Sequence, residues 1–222
     1  ELYFNDWTSS YSSPTTPLAN RFIEEFNNAL LDVKPKDRGY TTLTTIQNFD
    51  GKTMEYSYLE NHPDIFKVTL KTKLPPQKSV TLHFEYTLQI QNDRFTGYGV
   101  TTDRNYNINH WYISPAVYEH SEWKLFSNKN TQDYYTPQSN IELNITVPKT
   151  YDVSSELNLE STQSNPQKNT FNFVGEKRTD SRLYISKSRF VRFNVHNLNI
   201  TTDARENKIS PLEQRDLFEK VV

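Results

Sequence analysis

The segment Val80–Ile90, VTLHFEYTLQI, is the most regular stretch of this chain and predicts its fold class. Apolar and aromatic residues occupy every second position, and Thr, His, Glu and Gln fill the positions between them. Because successive side chains of a strand point to opposite faces, this pattern predicts a strand with one buried and one solvated face. A sheet with one wet face is typical of antiparallel pairing.

Shorter segments on both sides of this strand repeat the same pattern. They are IFKVTLKT at 65–72, NIELNITVPK at 140–149, TFNFV at 170–174, SRLYIS at 181–186 and RFVRFNV at 189–195. Asp50-Gly51, within NFDGKT, is a hairpin-turn dipeptide. Many short strands separated by turn residues indicate a mainly β protein, built as a sandwich or as several packed antiparallel sheets.

One helix is predicted near the N-terminus, from Pro17 to Leu31. Thr16 suits the N-cap position and Pro17 suits the first helical position. The predicted apolar stripe recurs every four residues and consists of Leu18, Phe22, Phe26 and Leu30.

A second, short helix is predicted at the C-terminal end. Ser210 and Glu213 have the spacing of a capping box, and Pro211 stands at the first helical position. Its apolar face would comprise Leu212, Leu217, Phe218 and Val221. An amphipathic helix is stable when its apolar face packs on something, so we expect a partner surface for it.

Composition excludes several kinds of function. The 222 residues include 25 basic and 27 acidic side chains, a net charge of -2, which argues against a nucleic-acid partner. Cysteine is absent, which excludes disulfides, thiolate metal sites and cysteine catalysis. No apolar run approaches the roughly 20 residues of a transmembrane helix. A chain without cysteine can function in the cytoplasm or outside it, so the compartment stays open.

The sequence contains no recognisable catalytic or metal-binding motif. None of the five His forms the H-E-x-x-H pair that places two imidazoles on one helical face for zinc. The five Gly form no phosphate-binding loop, and no G-x-S-x-G is present. Glu119, His120 and Glu122 lie close together but match no ligand spacing, and they are predicted to form a charged hairpin loop. No catalytic or metal residue is therefore assigned.

An aromatic cluster, NHWYISPAVYEHSEW at 109–123, is the remaining candidate site. Trp and Tyr on an exposed β face suit the binding of sugars or peptides. The alternative is that Trp111, Tyr112 and Tyr118 pack between sheets as core, which is the more frequent fate of such side chains.

Four stretches give the chain a resemblance to a known family. They are KDRGYTTL at 36–43, NHWYISPAVYEHSEWKL at 109–125, SNIELNITVPKTYDVSSELN at 139–158 and TTDARENKISPLEQRDLFEKVV at 201–222. In this order they resemble the N-terminal β domain of bacterial zinc aminopeptidases of the aminopeptidase N family, the gluzincins. The resemblance spans nearly the whole chain.

The resemblance implies a saddle-shaped β domain over residues 1–205, lacking the family's first strands, and a helical lead at 206–222 into a catalytic domain that is not in this chain. The parent protein would be a zinc metallopeptidase, with its zinc in that catalytic domain and no cofactor in this chain. The implied partners are the catalytic domain itself and the N-terminus of a peptide substrate. A degenerate, inactive parent is equally compatible with these residues.

The resemblance also implies a substrate-binding segment at Asn109, His110, Trp111 and Tyr112. In the family, a Gln or Glu of this loop helps to bind the free α-amine of the substrate, and His110 stands where the related branch has Gln. A neutral imidazole can accept a hydrogen bond from an ammonium group, whereas a charged one would repel it. Two alternatives stay open: the segment only packs the interdomain seam, or the chain is a free-standing β-sandwich that binds carbohydrate or a partner protein through its aromatic face.

Overall fold

A computed structural model describes residues 1–130, 134–196, 198–202 and 210–220, and the fold of these residues is mainly β. The strands of the first half are β1 (Leu2–Asn5), β2 (Tyr40–Asn48), β3 (Glu55–Leu59), β4 (His62–Thr69), β5 (Leu82–Gln89), β6 (Gly99–Val100), β7 (Tyr106–Ile108) and β8 (Ser114–Pro115). Those of the second half are β9 (Val117–Glu119), β10 (Glu122–Lys124), β11 (Ser139–Pro148), β12 (Asp152–Ser155), β13 (Asn158–Ser164), β14 (Lys168–Arg178), β15 (Leu183–Ser186), β16 (Val191–Val195) and β17 (Leu198–Thr202). The α-helices are α1 (Pro17–Glu24) and α2 (Pro211–Glu219), and short 3-10 helices span Trp7–Tyr11, Pro35–Asp37 and Asp93–Phe95.

The strands form several antiparallel sheets, as predicted. Two sheets have four strands, in the orders β3-β4-β1-β8 and β12-β15-β7-β6. A third sheet has the order β11-β14-β13, and β2 with β5, β9 with β10 and β16 with β17 form two-stranded ribbons. All named strand pairs are antiparallel.

The core is divided between the sheets. One cluster, built on Val147, Val153, Phe171, Phe173 and Leu183, lies between the β11-β14-β13 and β12-β15-β7-β6 sheets. A second cluster packs the β2–β5 ribbon on the β3-β4-β1-β8 sheet through Phe4, Ile46, Met54, Phe66 and Val68. In each pair of layers, the two facing sides bury their apolar side chains against each other, which is the arrangement of a β-sandwich.

The predicted alternation of 80–90 is confirmed within β5. Leu82, Phe84 and Tyr86 are partly buried, and the residues between them are exposed. Phe84 meets Phe4 edge to face, with ring centroids 5.0 Å apart. Val80 differs from the prediction, because it precedes the strand and is 40% exposed.

The prediction of a helix from Pro17 to Leu31 is wrong in its end point. Thr16 caps the helix through its side chain, as predicted, but α1 stops at Glu24. Phe26 takes a positive φ of 58°, and the bonds from the Phe26 amide to the Ile23 carbonyl and from the Asn27 amide to the Phe22 carbonyl close a Schellman motif. Glycine usually occupies that position, and a phenylalanine there carries no stop signal.

The consequence of this early stop is that the predicted apolar stripe is broken. Leu18 and Leu30 are fully buried and Phe22 packs against their cluster, whereas Phe26 is 97% exposed. Leu30 reaches the cluster from a turn after the helix.

The predicted capping box of the C-terminal helix is confirmed. The Ser210 amide donates to the Glu213 carboxylate at 2.6 Å, and the Glu213 amide donates to the Ser210 hydroxyl at 3.3 Å. Val221 and the proposed domain boundary at 205/206 lie outside the described residues. Within the described ranges, no helix is both long enough and apolar enough to cross a membrane.

The ribbon β9–β10 is the hairpin predicted around His120. His120 and Ser121 both have positive φ, 50° and 65°, as a type I′ turn requires. Tyr118 pairs with Trp123 across the ribbon but is 58% exposed, so the core interpretation was wrong for Tyr118. A residue near the end of a two-stranded ribbon has no second layer to cover it.

Candidate functional site

Residues 109–113, here called the crossing segment, connect the two four-stranded sheets. Before the segment, Ile108 of β7 pairs with Leu183 of β15. After it, Ser114 of β8 pairs with Asn5 of β1. The segment is therefore fixed at both ends by different sheets, and its conformation depends on how those sheets are placed.

The β15 side holds the segment through two hydrogen bonds. Because β7 and β15 are antiparallel, the residues after Ile108 meet those before Leu183. The His110 amide donates to Asp180 Oδ1 at 3.0 Å, and the indole Nε1–H of Trp111 donates to the Ser181 carbonyl at 3.0 Å.

The other side of the segment is held by the N-terminal region and by β5. The Thr8 hydroxyl donates to the Trp111 carbonyl at 3.3 Å. The Ile113 amide donates to the Tyr86 hydroxyl at 3.4 Å. The segment therefore has polar anchors on three separate parts of the chain.

The His110 side chain lies against two aromatic rings. Its centroid is 5.2 Å from that of Trp7, at an interplanar angle of 80°, and 4.0 Å from that of Tyr134. Burial, together with the charge of Arg182, lowers the pKa of His110 to about 4. The imidazole is therefore neutral at neutral pH and can accept a hydrogen bond.

A carboxylate stands beside this imidazole. Asp180 Oδ1 lies 3.7 Å from His110 Nδ1, and both side chains keep 14% of their surface exposed. Burial raises the pKa of Asp180, while hydrogen bonds from the backbone of His110 and Ser181 act in the opposite direction. The pair provides two acceptors at one partly open position.

The guanidinium group of Arg182, the nearby positive charge, interacts with three other side chains. It donates to the Tyr98 hydroxyl at 2.8 Å and to the Tyr184 hydroxyl at 3.3 Å, and it lies 3.6 Å from the Glu156 carboxylate. Because the Glu156 carboxylate offsets part of the guanidinium charge, Arg182 repels a cation at Asp180 less strongly.

Tyr134 is positioned by a buried polar network. Asn128 Nδ2 donates to the Tyr134 hydroxyl at 3.3 Å and to the Ser10 hydroxyl at 2.9 Å. The backbone amide of Asn128 donates to the fully buried Asp64 carboxylate at 2.6 Å. Burial raises the pKa of Asp64, which hydrogen bonds from Ser127 and Asn128 oppose. The ring that faces His110 is thus fixed from β4 as well as from its own loop.

The space behind the segment is small. A cavity of about 10 Å³ is bounded by Trp7, Thr8, Tyr11, Ile90, Gln91, Ile108, Asn109, His110, Trp111 and Tyr134. That volume is the lower limit for one water molecule. A ligand would therefore contact these residues from their exposed edge.

The four predicted site residues have different environments. Asn109 is partly buried and lines the small cavity, and His110 faces Asp180. Trp111 packs against the core between the sheets. The Tyr112 ring lies 5.5 Å from that of Trp111, and burial raises the pKa of Tyr112 to about 12.

Three residues near His110 were not found from the sequence: Asp180, Trp7 and Tyr134. Asp180 lies in the connection between β14 and β15, which carries no motif, and its distance of 70 residues from His110 leaves no local signal. The β7–β15 pairing would have been needed to find it.

A second aromatic group lies on the outer side of β1. We call Tyr3, Trp123 and Tyr118 the aromatic ledge. The Trp123 centroid is 5.5 Å from that of Tyr3 and 5.0 Å from that of Tyr118, with interplanar angles of 51° and 56°. The Tyr3 hydroxyl donates to the Glu1 carboxylate at 2.9 Å, which adds a polar group beside the rings.

Among the described residues, no three or more His, Cys, Asp and Glu side chains are grouped closely enough to hold a metal ion. No protein-family model, curated protein sequence or solved structure matches the chain.

Proposed function

We propose that this chain is the non-catalytic N-terminal β domain of a zinc aminopeptidase-like protein. It would shape the active-site cleft and help to position the N-terminus of a peptide substrate through the crossing segment. The observation that carries this proposal is the pairing of a neutral His110 with the Asp180 carboxylate at a partly open position between aromatic rings.

This arrangement suits a primary ammonium group. The imidazole and the carboxylate can both accept hydrogen bonds from it, and a carboxylate bond to a charged donor is about twice as strong as a neutral one. The rings of Trp7 and Tyr134 pack on His110 and hold its imidazole in place.

The zinc of the proposed parent protein would lie in its catalytic domain. The described residues of this chain offer no ligand set for it, so no catalytic step is assigned to them. Their proposed role is to bind and orient the amine, and bound zinc in the catalytic domain would activate the attacking water.

The amine-binding role can be tested on this chain by NMR. Trialanine with a free N-terminus should shift the His110 and Asp180 side-chain signals, and N-acetylated trialanine should not. Asp180→Asn should abolish the difference between the two peptides, because it removes the charge that attracts the ammonium. Equal shifts with both peptides would refute amine recognition.

The identity of the parent protein has an independent test. The reading frame that encodes this chain should continue into H-E-x-x-H, with a further Glu about one or two helices later. A frame that continues into a different kind of domain would refute the aminopeptidase proposal and leave amine binding as a separate question.

The aromatic ledge favours a second candidate function, the binding of a carbohydrate by a free-standing β module. Exposed Trp and Tyr rings can stack on the apolar face of a sugar, and Tyr118 is the most exposed ring of the three. Trp111 is the wrong residue for a test, since its indole is bonded to the Ser181 carbonyl and packs on the core.

A glycan array with the chain and with Tyr118→Ala distinguishes the candidates. A carbohydrate module should give a signal that falls about two- to tenfold in the variant, since stacking of this kind contributes roughly 0.5–1.5 kcal/mol. Tyr40→Ala, another exposed tyrosine on a different ribbon, is the matched control. No signal above background would exclude the sugar-binding candidate.

A further inference from the structure

One end of the β2–β5 ribbon combines exposed apolar side chains with lysines. We call this surface the lysine tip. It consists of Phe49, Leu74, Val80, Lys52, Lys71, Lys73 and Lys78.

The first half of the lysine tip is the turn after β2. The Gly51 amide donates to the Asn48 carbonyl at 2.9 Å, and the Asn48 amide donates to the Lys52 carbonyl at 3.0 Å. Gly51 has a φ of 75°, which the turn requires and glycine permits. This closed turn confirms the prediction at Asp50-Gly51, and it projects Phe49 outward with 80% of its surface exposed.

The second half is the loop that joins β4 to β5. Leu74 and Val80 are each 40% exposed. Together with Lys52, Lys71 and Lys73 they surround an open cavity of about 260 Å³, whose inner residues Met54 and Leu70 belong to the core. The two halves therefore form one continuous surface.

The charge of this surface is one-sided. None of its four ammonium groups forms an ion pair with a carboxylate of the described residues. The residues around the cavity include three lysines and no acid, and Asp50 is the acidic residue of the adjoining turn. The chain as a whole has a net charge of -2, so the tip is a local excess of positive charge.

We propose that the lysine tip docks reversibly on an anionic lipid surface. Exposed apolar side chains at the end of two turns can enter the headgroup boundary, while lysine stems lie along it and keep their ammonium groups at the phosphates. This role lies beyond the function proposed above and does not depend on it.

The residue types favour lipid over a folded protein or a structured anion. All four cations are lysines, which act as point charges on flexible stems, whereas fixed bidentate recognition of carboxylate or phosphate is typical of arginine. A fluid layer of phosphates requires no fixed geometry, and it also accommodates an almost fully exposed Phe49.

Vesicle flotation with the full chain tests this proposal. Binding should be strong on phosphatidylcholine vesicles that contain phosphatidylglycerol, and at least about tenfold weaker on phosphatidylcholine alone. Lys71→Ala/Lys73→Ala should weaken binding about 30-fold and reduce its salt dependence. Phe49→Ser should weaken it about tenfold even at high salt, because it removes apolar area rather than charge.

The chain offers matched controls at the opposite end of the same ribbon. Lys34 and Lys36 are exposed and have the same spacing as Lys71 and Lys73, and Phe26 is an exposed phenylalanine outside the tip. Lys34→Ala/Lys36→Ala and Phe26→Ser should change binding less than about twofold.

Three results would overturn the proposal: equal binding to both kinds of vesicle, an equal loss in the control variants, or binding that a soluble polyanion reproduces. A soluble sulfated polymer such as heparin separates charge alone from lipid docking: binding that heparin reproduces, without sensitivity to Phe49→Ser, would assign the tip to a polyanion. Circular dichroism of each variant checks that these surface changes leave the fold intact.

Discussion

The β11-β14-β13 sheet and the crossing segment at 109–113 are stabilised in different ways. In the sheet, Phe171 and Phe173 lie on one face of β14 and are almost fully buried against the facing sheet. In the segment, His110 is held by one hydrogen bond and Trp111 by two, all to distant parts of the chain. The sheet depends on apolar area spread over many residues, whereas the segment combines the packing of Trp111 with a few polar contacts.

The largest effect is expected in the sheet. Phe171→Ala removes a side chain that is 4% exposed and leaves a cavity, which should lower the free energy of unfolding by about 4 kcal/mol. Urea denaturation measures this loss. Leu159→Ala, on the neighbouring strand but partly exposed, is the control and should lose less than half as much. Equal losses in the two variants would mean that buried apolar area does not dominate the stability of this sheet.

The next effect is a pH dependence that originates at His110. The folded pKa, about 4, lies below the ordinary 6.5, so between these values the unfolded chain binds a proton that the folded chain does not. Stability from this group is complete above pH 6.5 and falls by about 3 kcal/mol as the pH drops towards 4.

Replacing His110 isolates this contribution. The difference in unfolding free energy between the unmodified chain and His110→Phe should change with pH in that window and be flat above it. The buried carboxyl of Asp64 is present in both proteins and largely cancels in the difference, whereas Asp180, 3.7 Å from the replaced ring, titrates together with His110 and is part of the measured pH dependence. His83→Gln, on the exposed face of β5, is the control. A pH-independent difference for His110→Phe would contradict the burial of this imidazole.

A smaller effect tests one anchor of the segment. Trp111→Phe keeps an aromatic ring but removes the donor to the buried Ser181 carbonyl, which should cost about 2 kcal/mol. Hydrogen exchange should also show faster opening at the His110 amide than in the unmodified chain. Unchanged exchange would mean that the bonds to Asp180, Thr8 and Tyr86 hold the segment without the indole.

The smallest effect tests a polar contact of the sheet. The hydroxyls of Thr146 and Thr170 lie 2.9 Å apart on the solvent side of the β11–β14 pair. Thr170→Val should change the unfolding free energy by less than about 0.5 kcal/mol, because water replaces an exposed hydrogen bond and valine favours strands. A loss as large as that of Trp111→Phe would remove the distinction between the two regions.

The same contrast explains which parts of the fold and site were predictable. In β5 and β11, the period-2 pattern is local and corresponds directly to a buried face, so the strands were found. The candidate segment was located through a family resemblance, and its substrate role stays a prediction. Asp180 was not found, because its approach to His110 follows from the β7–β15 pairing and not from any nearby residue.

Some local features also depended on three-dimensional context. Phe26 continued the apolar repeat of α1, yet the chain takes a left-handed turn there and leaves the ring in solvent. Leu30 fills the cluster instead, since the Schellman turn directs it back towards Leu18. A regular apolar repeat predicts the length of a helix correctly only where every apolar residue of the repeat packs against another part of the protein.

The sequence by itself determined the antiparallel β class, the Asp50-Gly51 turn and the Ser210–Glu213 capping box, because each depends on residues a few positions apart. Only the tertiary structure decided the neutral His110 beside Asp180 and the exposure of Tyr118. These follow from strand pairing and from the presence or absence of a covering layer, and both are properties of the whole chain rather than of any segment.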